Sequence, residues 1–153
     1  MYKKIMVPLD GSELAECVLP HVEAFIKGFQ INEVLFVRVV DPVGVSFSSE
    51  SSMLEEMKEK ESTVKSSAED YLNQVVSRLK QEGTALHSEI LVGRVAGSLA
   101  DYAKKNDIDL ILIATHGRSG VTRWVRGSVA DKVLRSSNAP VLMVRAPGTE
   151  GGI

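Results

Sequence analysis

The sequence is poor in cysteine and contains no long apolar run. Cys17 is the single cysteine, so no disulfide can form within one chain, and a reducing compartment suits the protein. No segment approaches the roughly 18 consecutive apolar residues that span a membrane, and the apolar part of MYKKIMVPLD is short for a signal-peptide core. We therefore expect a cytoplasmic protein that makes no contact with membranes.

Neither sign of charge dominates the chain. The formal net charge is −2, so the overall charge does not indicate a nucleic-acid partner or an anionic membrane. The hydrophobic share of 44% is ordinary for a soluble globular protein, and 153 residues suit one domain with a sizeable core. We expect a single domain over residues 1–146, followed by a disordered tail at 147–153.

Several well-known site motifs are also missing. The chain has no GxxxxGK[ST] segment and no GxGxxG segment, which excludes a Walker P-loop and the usual dinucleotide fingerprint. Cys17 and His21 are four residues apart on a predicted helix, but two candidate ligands without a third are weak support for a metal site. We expect Cys17 to pack in the core and His21 to lie on the surface, and we predict no catalytic residues and no metal ligands from the protein.

What the sequence does contain is a regular alternation of strand and helix patterns. Apolar runs predict strands at 4–9, 33–40, 85–92, 109–114 and 141–144, and helical periodicity predicts helices at 12–27, 53–82, 93–106 and 128–136. This alternation is typical of an α/β fold, in which an open parallel sheet carries helices on both faces through right-handed crossovers. The strand at 85–92 alternates apolar and polar residues more than the others, which predicts an edge position.

Three local features refine this prediction. Pro20 lies inside the first helical pattern and should kink that helix, because proline removes a backbone donor. The second helix is long, about 45 Å at ~1.5 Å per residue, so its N-terminal part should protrude or fray, and Gly83 should end it. Its buried face is predicted to consist of Leu54, Met57, Val64, Ala68, Tyr71, Val75 and Leu79.

The last strand has no later segment to cover its outer edge. It consists of Val141, Leu142, Met143 and Val144. An exposed apolar edge favours association, and pairing with the same strand of a second copy would produce a two-fold homodimer.

The stretch from Ile108 to Val129 carries the main indication of function. It runs from a buried strand through a glycine-rich loop to a helix N-terminus, where free backbone N–H groups and the helix dipole favour anions. The loop therefore indicates a phosphate site, with Ser128 adding a hydroxyl. The alternative is a surface loop whose glycines serve only its turns.

Asp10 follows the first strand and has two competing interpretations. Asp10-x-x-Glu13 resembles a capping box at the start of a helix. A carboxylate at the carboxyl end of a strand also suits a ligand, because open α/β sheets bind ligands there and ribose hydroxyls donate hydrogen bonds. One residue can serve both roles.

Taken together, these segments resemble the ATP-binding branch of the universal stress proteins. That branch carries G-x2-G-x9-G-[ST] after its fourth strand, and this chain has Ala114-x2-Gly117-x9-Gly127-Ser128. The segments IMVPLDGS, VADKVL and APVLMV are also similar to the family, and the resemblance covers about residues 2–145. The departure from the pattern is Ala114, where the family usually has glycine.

The resemblance implies a Rossmann-like sheet of order 3-2-1-4-5, a homodimer and an ATP site. The implied nucleotide contacts are Pro8, Asp10, Val39, Ile113, Ala114, Gly117, Gly127, Ser128 and Val129. Asp10 and Pro8 would lie at the ribose or adenine side, Val39 would meet adenine through its backbone, and Ile113 and Ala114 would lie along the nucleotide. The phosphates would be held by the Ser128 hydroxyl and by the backbone amides of Gly117, Gly127, Ser128 and Val129. Any Mg or Mn ion would be held by the phosphates and by water.

Some functional questions stay open at the level of sequence. Arg118 and Arg126 lie outside the family motif and contact either phosphate or solvent, and we expect Arg123 at the surface. Arg118 is kept among the candidate nucleotide contacts. The principal hypothesis is a homodimeric, ATP-binding module of the stress response that signals by its nucleotide state. The alternatives are a slow ATPase or phosphotransferase, and a structural dimer that does not bind nucleotide.

Overall fold

Strands and helices alternate in a computed structural model, which describes residues 1–42, 51–79, 82–115 and 129–147. The strands are β1 Lys4–Pro8, β2 Glu33–Val40, β3 Ala85–Val92, β4 Leu110–Thr115 and β5 Val141–Arg145. The helices are a 3-10 helix at Ala15–Val18, α1 Leu19–Phe29, α2 Ser51–Arg78, α3 Val95–Lys105 and α4 Val129–Ser136. No helix among these residues is long and apolar enough to cross a membrane.

The five strands form one parallel sheet in the order β3-β2-β1-β4-β5. This confirms the α/β fold and the strand order that the resemblance implied. In the centre, Met6 of β1 is in register with Leu35 of β2 on one side and with Ile111 of β4 on the other. The chain leaves β1 toward β2 and later returns to pair β4 on the opposite side of β1. A crevice at the carboxyl ends of β1 and β4 follows from this reversal of direction.

Both faces of the sheet are covered, which explains why the central strands are apolar almost throughout. On one face the buried strand residues Ile5, Val7, Val34, Phe36, Leu110 and Leu112 pack with Val18, Val22, Leu72 and Val75 of the 3-10 helix, α1 and α2. On the other face Met6, Leu35, Val37, Ile111 and Ile113 pack with Leu99, Ala103, Ala130 and Val133 of α3 and α4. The edge position predicted for β3 is confirmed, since β3 lies at the end of the sheet of described strands, next to β2.

The first helix begins later than the sequence predicted. A 3-10 helix ends at Val18, and α1 then starts at Leu19 with Pro20 in its first turn. The predicted kink is therefore wrong, because the N–H that proline lacks has no intrahelical partner in a first turn. Pro20 helps to start α1 instead, and Gln30 ends it in the left-handed conformation with φ 51°.

The long helix α2 also departs from the sequence prediction. It has 28 residues, or about 42 Å, against about 26 Å for the eight residues of β2. Its buried side chains start only at Ala68, and the predicted core residues Leu54 and Val64 are 54% and 42% exposed. The helix ends at Arg78, so Gly83 does not end it but occupies the turn before β3 with φ +86°. The N-terminal part thus extends beyond the sheet, as its length had indicated.

The remaining elements lie close to the predicted bounds. The β2 and β3 strands match, β1 and β5 differ by a single residue at one end, and β4 is shifted by one residue at both ends. The third helix is shorter than 93–106 at both ends, and α4 starts at Val129. Residues 43–50 of the predicted loop and 148–153 of the predicted tail lie outside the described residues.

Candidate functional site

A cleft opens at the carboxyl ends of β1, β2 and β4, where the strand order changes direction. Its volume is about 590 Å³, within the range of small-molecule sites. Six residues that the sequence singled out line it together: Pro8, Asp10, Val39, Ile113, Ala114 and Val129. They are far apart in the chain, and the parallel sheet brings them to one edge because the carboxyl ends of parallel strands lie side by side.

The four other predicted contacts lie in the segment 116–128. Gly117, Arg118, Gly127 and Ser128 are outside the described residues, so their positions stay predictions. The residues on either side of this segment are placed, and Ala114 and Val129 both line the cleft. The loop that carries the proposed phosphate contacts therefore begins and ends at the cleft.

Ala114, which stands where the family motif has glycine, lies in an ordinary β-strand. It is in register with Val144 of β5. Among the described residues other than glycine, only Gln30 and Asp107 have positive φ, so the backbone at position 114 does not require glycine. An alanine is accommodated at this point of the sheet without backbone strain.

Asp10 organises the turn that follows β1. Its Oδ1 atom accepts hydrogen bonds from the Ser12 backbone N–H, at 2.8 Å, and from the Ser12 hydroxyl. The Ser12 oxygen in turn accepts a hydrogen bond from the Ala15 N–H at 3.2 Å, so Ser12 and not Asp10 bonds to the first residue of the 3-10 helix. The Oδ2 atom of Asp10 accepts no hydrogen bond from the described residues. One oxygen therefore fixes the turn, and the second is available to a ligand in the cleft.

Arg38 is a lining residue that the sequence prediction missed. It lies in β2 beside Val39, and it is the only cationic side chain among the described residues that line the cleft. Its guanidinium carbon lies 5.6 Å from the centroid of the Tyr71 ring, which is within the range of a cation–π contact. The signal in the sequence was a single charged residue inside the otherwise apolar segment VLFVRVV.

Tyr71 connects the cleft to an ion pair that holds α2. Burial raises the pKa of the Tyr71 phenol, and the nearby carboxylate of Glu16 raises that pKa further. Glu16 Oε1 lies 3.0 Å from Arg78 Nη2, which ties the 3-10 helix to α2. The Tyr71 hydroxyl oxygen is buried and has no hydrogen-bond partner of ordinary geometry among the described residues, although Glu16 is near.

The described residues do not assemble a metal centre. They contain no group of three or more His, Cys, Asp or Glu side chains that could hold an ion. Cys17 is partly buried against the core and burial raises the pKa of its thiol, whereas His21 is exposed. Both positions agree with the prediction for this pair.

Comparison with known proteins identifies the family. Residues 1–145 match the model of the universal stress protein family. The chain belongs to the universal stress protein family. Universal stress protein MJ0531 of Methanocaldococcus jannaschii is 31% identical over 153 residues, which cover 98% of this chain and 86% of that protein. Universal stress protein MJ0577 of the same organism is 30% identical over 156 residues, which cover 95% of this chain and 96% of that protein.

Solved structures of universal stress proteins share the fold of this chain. The structure of MJ0577 has a TM-score of 0.81 at 30% identity and covers 97% of this chain and 99% of its own. A universal stress protein in complex with cAMP has a TM-score of 0.69 at 19% identity, with coverages of 95% and 98%. A family member from Arabidopsis thaliana with AMP bound has a TM-score of 0.61 at 15% identity, with coverages of 98% and 95%. At these lower identities the likeness concerns the fold.

Proposed function

We propose that this universal stress protein binds ATP in the cleft and acts as a homodimeric signalling module of the stress response in the cytoplasm. The observation that carries the proposal is the meeting of six sequence-predicted contacts in one cleft of about 590 Å³ at the switch point of the sheet. Family members with cAMP and with AMP bound add support, because both ligands are adenine nucleotides.

The base and ribose belong at the β1 and β2 side of this cleft. The Asp10 Oδ2 atom accepts hydrogen bonds from the ribose, while Oδ1 keeps its bonds to Ser12. Val39 meets adenine through its backbone, and Pro8 supplies an apolar wall at the same end. Ile113, which is buried at the end of β4, lies along the nucleotide.

The phosphates belong at the start of α4. This helix begins at Val129 in the wall of the cleft, and the first N–H groups of a helix have no intrahelical partners. The backbone amides of Gly117, Gly127, Ser128 and Val129 and the Ser128 hydroxyl hold the phosphates, with Arg118 as a further cation. A Mg or Mn ion is held by the phosphates and water.

The dimer forms through β5. Among the described strands β5 pairs only with β4, so its outer edge has no partner within that sheet. Met143 on this strand is 37% exposed, and Val141 and Leu142 are partly buried. Pairing of two β5 edges covers Met143 and gives a two-fold assembly of single domains that span residues 1–146.

Calorimetric titration with Mg-ATP tests the nucleotide site. The wild-type protein binds, and Asp10→Asn binds at least about tenfold more weakly, because the charged acceptor of the ribose is lost. Asparagine keeps a side-chain oxygen for the Ser12 N–H, so the turn survives. Asp101→Asn is the matched control, since Asp101 is exposed on α3 and does not line the cleft. Equal affinities for all three proteins would argue against the assigned role of Asp10.

ATP titration and a phosphate-release assay separate the two alternatives, a structural dimer and a slow ATPase. A wild-type protein that does not bind ATP and carries no adenine absorbance after purification favours the structural dimer. Steady release of phosphate that persists after repurification and disappears in Gly127→Asp identifies a slow ATPase instead.

A further inference from the structure

We propose that Arg38 reads the ribose hydroxyls together with Asp10 and makes the cleft select ribonucleotides over their deoxy forms. The inference rests on the proposed nucleotide site. Arg38 lines the cleft from β2 and Asp10 lines it from the turn after the neighbouring strand β1, and they offer opposite hydrogen-bonding chemistry there.

The backbone of the turn after β1 fixes the Arg38 guanidinium from one side. A Cβ atom added to Gly11 would lie 2.9 Å from Nη1, 3.1 Å from Cζ and 3.3 Å from Nη2 of Arg38. The three similar distances mean that the guanidinium packs on Gly11 with its flat face. Because Gly11 directly follows Asp10, this contact places the cation beside the carboxylate that the ribose needs.

Tyr71 of α2 also contacts the guanidinium. The Arg38 Cζ atom lies 5.6 Å from the Tyr71 ring centroid. The contact at Gly11 engages the flat face of the cation, and the N–H donors of a guanidinium lie in its plane. The donors are therefore left for partners at the edge of the group.

No acceptor on the described residues takes these donors. Among the residues that the structure describes, Arg38 forms no ion pair with a carboxylate and no hydrogen bond. A partly buried arginine without an acceptor is unusual, because charged side chains away from water are normally paired. An acceptor on a ligand in the cleft would take the hydrogen bonds that the Arg38 guanidinium can donate.

A ribose supplies the matching chemistry. Each hydroxyl carries one donor and two acceptor lone pairs. Asp10 can only accept and Arg38 can only donate, so together they use both functions of the 2′- and 3′-hydroxyls. Loss of the hydroxyl that Arg38 contacts leaves the guanidinium with an unsatisfied donor, which is the situation in which protein sites discriminate most strongly.

The test compares the dissociation constants of Mg-ATP, 2′-deoxy-ATP and 3′-deoxy-ATP by calorimetry. The wild-type protein binds ATP at least about tenfold more tightly than one of the two deoxy nucleotides. In Arg38→Met the ratio of the dissociation constant of that deoxy nucleotide to the dissociation constant of ATP falls to about two or less. The affinity for the deoxy nucleotide itself changes by less than about threefold. A purely structural effect would weaken all three nucleotides equally, leave the ratio unchanged and overturn the proposal.

Arg78→Met is the matched control. Arg78 pairs with Glu16 on the neighbouring surface and does not line the cleft, so this variant keeps the wild-type ratio. If Arg38→Met does not fold, as judged by circular dichroism, Arg38→Lys replaces it and lowers the ratio at least about threefold. A wild-type ratio near one overturns the role of Arg38 without any variant. Absence of ATP binding by the wild-type protein is a different result, and it contradicts the nucleotide site itself.

Discussion

Gly11 and Arg38 are packed so closely that a Cβ atom on Gly11 would come within 2.9 Å of the Arg38 Nη1 atom. Gly11 also has a φ of +85°, in the region that favours glycine. Position 11 therefore requires glycine because of its own backbone conformation, and a side chain added there would also displace the Arg38 guanidinium. Both effects concern the turn that presents Asp10 to the cleft.

Gly11→Ala is expected to lower the free energy of unfolding by about 1–2 kcal/mol, the cost of a left-handed conformation for a residue with a side chain. Displacement of Arg38 adds to this cost. Gly28→Ala is the matched control, since Gly28 lies in α1 with open space around its Cα and a helical alanine is favoured by about 0.5–1 kcal/mol. Urea unfolding of both variants measures the difference. A Gly11→Ala protein as stable as the wild type would refute this account of the turn.

Tyr71→Phe is expected to leave the free energy of unfolding at pH 7 unchanged or to raise it by up to about 1 kcal/mol. The Tyr71 hydroxyl is buried without a partner of ordinary geometry among the described residues, and an unsatisfied buried group is destabilising. The ring remains in phenylalanine and keeps its contact with Arg38. A loss of about 1 kcal/mol or more would instead show that the hydroxyl donates a hydrogen bond to Glu16.

The wild type and Tyr71→Phe are also expected to differ in how their free energies of unfolding depend on pH. Burial and the Glu16 carboxylate raise the pKa of Tyr71 in the folded state, so the folded protein keeps the phenol proton longer than the unfolded chain does. The stability contributed by this group is complete below the unfolded pKa of about 10 and is lost as the pH rises above it. Unfolding free energies between pH 8 and pH 11 should fall more steeply for the wild type than for Tyr71→Phe. Parallel curves would contradict the raised pKa.

Asp109→Ala is expected to destabilise the fold by about 1–3 kcal/mol without changing nucleotide affinity. The Asp109 Oδ2 atom accepts hydrogen bonds from the backbone N–H groups of Lys3 and Lys4, at 2.9 and 2.8 Å, and so joins the starts of β4 and β1. These bonds lie at the end of the sheet opposite the cleft. Chemical unfolding and ATP titration check the two parts, with the exposed Asp101→Ala as control. A weakened nucleotide affinity at unchanged stability would contradict the separation of the two ends.

Ala114→Gly restores the glycine of the family motif and is expected to change ATP affinity by less than about threefold. The φ at position 114 is not positive, so glycine gains no conformation that alanine lacks. The variant should lose about 0.5–1 kcal/mol of stability, because glycine in a strand is entropically unfavourable. Titration with ATP and urea unfolding check both parts. A tenfold gain in affinity would show that the alanine methyl group obstructs the nucleotide.

The fold follows from the sequence because burial on both faces imposes nearly continuous apolar strands. The segment EVLFVRVV is β2 from its first residue to its last. Helix ends were harder to predict, because they depend on local hydrogen bonds. The Ser12 hydroxyl bonds to the first residue of a 3-10 helix, and Pro20 then falls in the first turn of α1 rather than in a helix interior.

The candidate site was predictable where it depends on strand ends. Asp10, Val39 and Ala114 each lie at the end of a strand, and parallel pairing alone brings them together. Arg38 could not be assigned in this way, because its position depends on contacts with Gly11 and Tyr71 from other elements. The burial of Val64 was also not predictable from the sequence. Its helical spacing predicted a core position, but α2 extends past the sheet and leaves Val64 at the cleft.

The most direct measurement of the central claim is the free energy of unfolding with and without Mg-ATP. A ligand at about 100 times its dissociation constant stabilises a protein that it binds in the folded state by about 2.7 kcal/mol. A rise of this size is expected at saturating Mg-ATP over a control with magnesium alone. An unfolding curve that does not move at millimolar Mg-ATP would contradict the proposal that this protein is an ATP-binding universal stress protein.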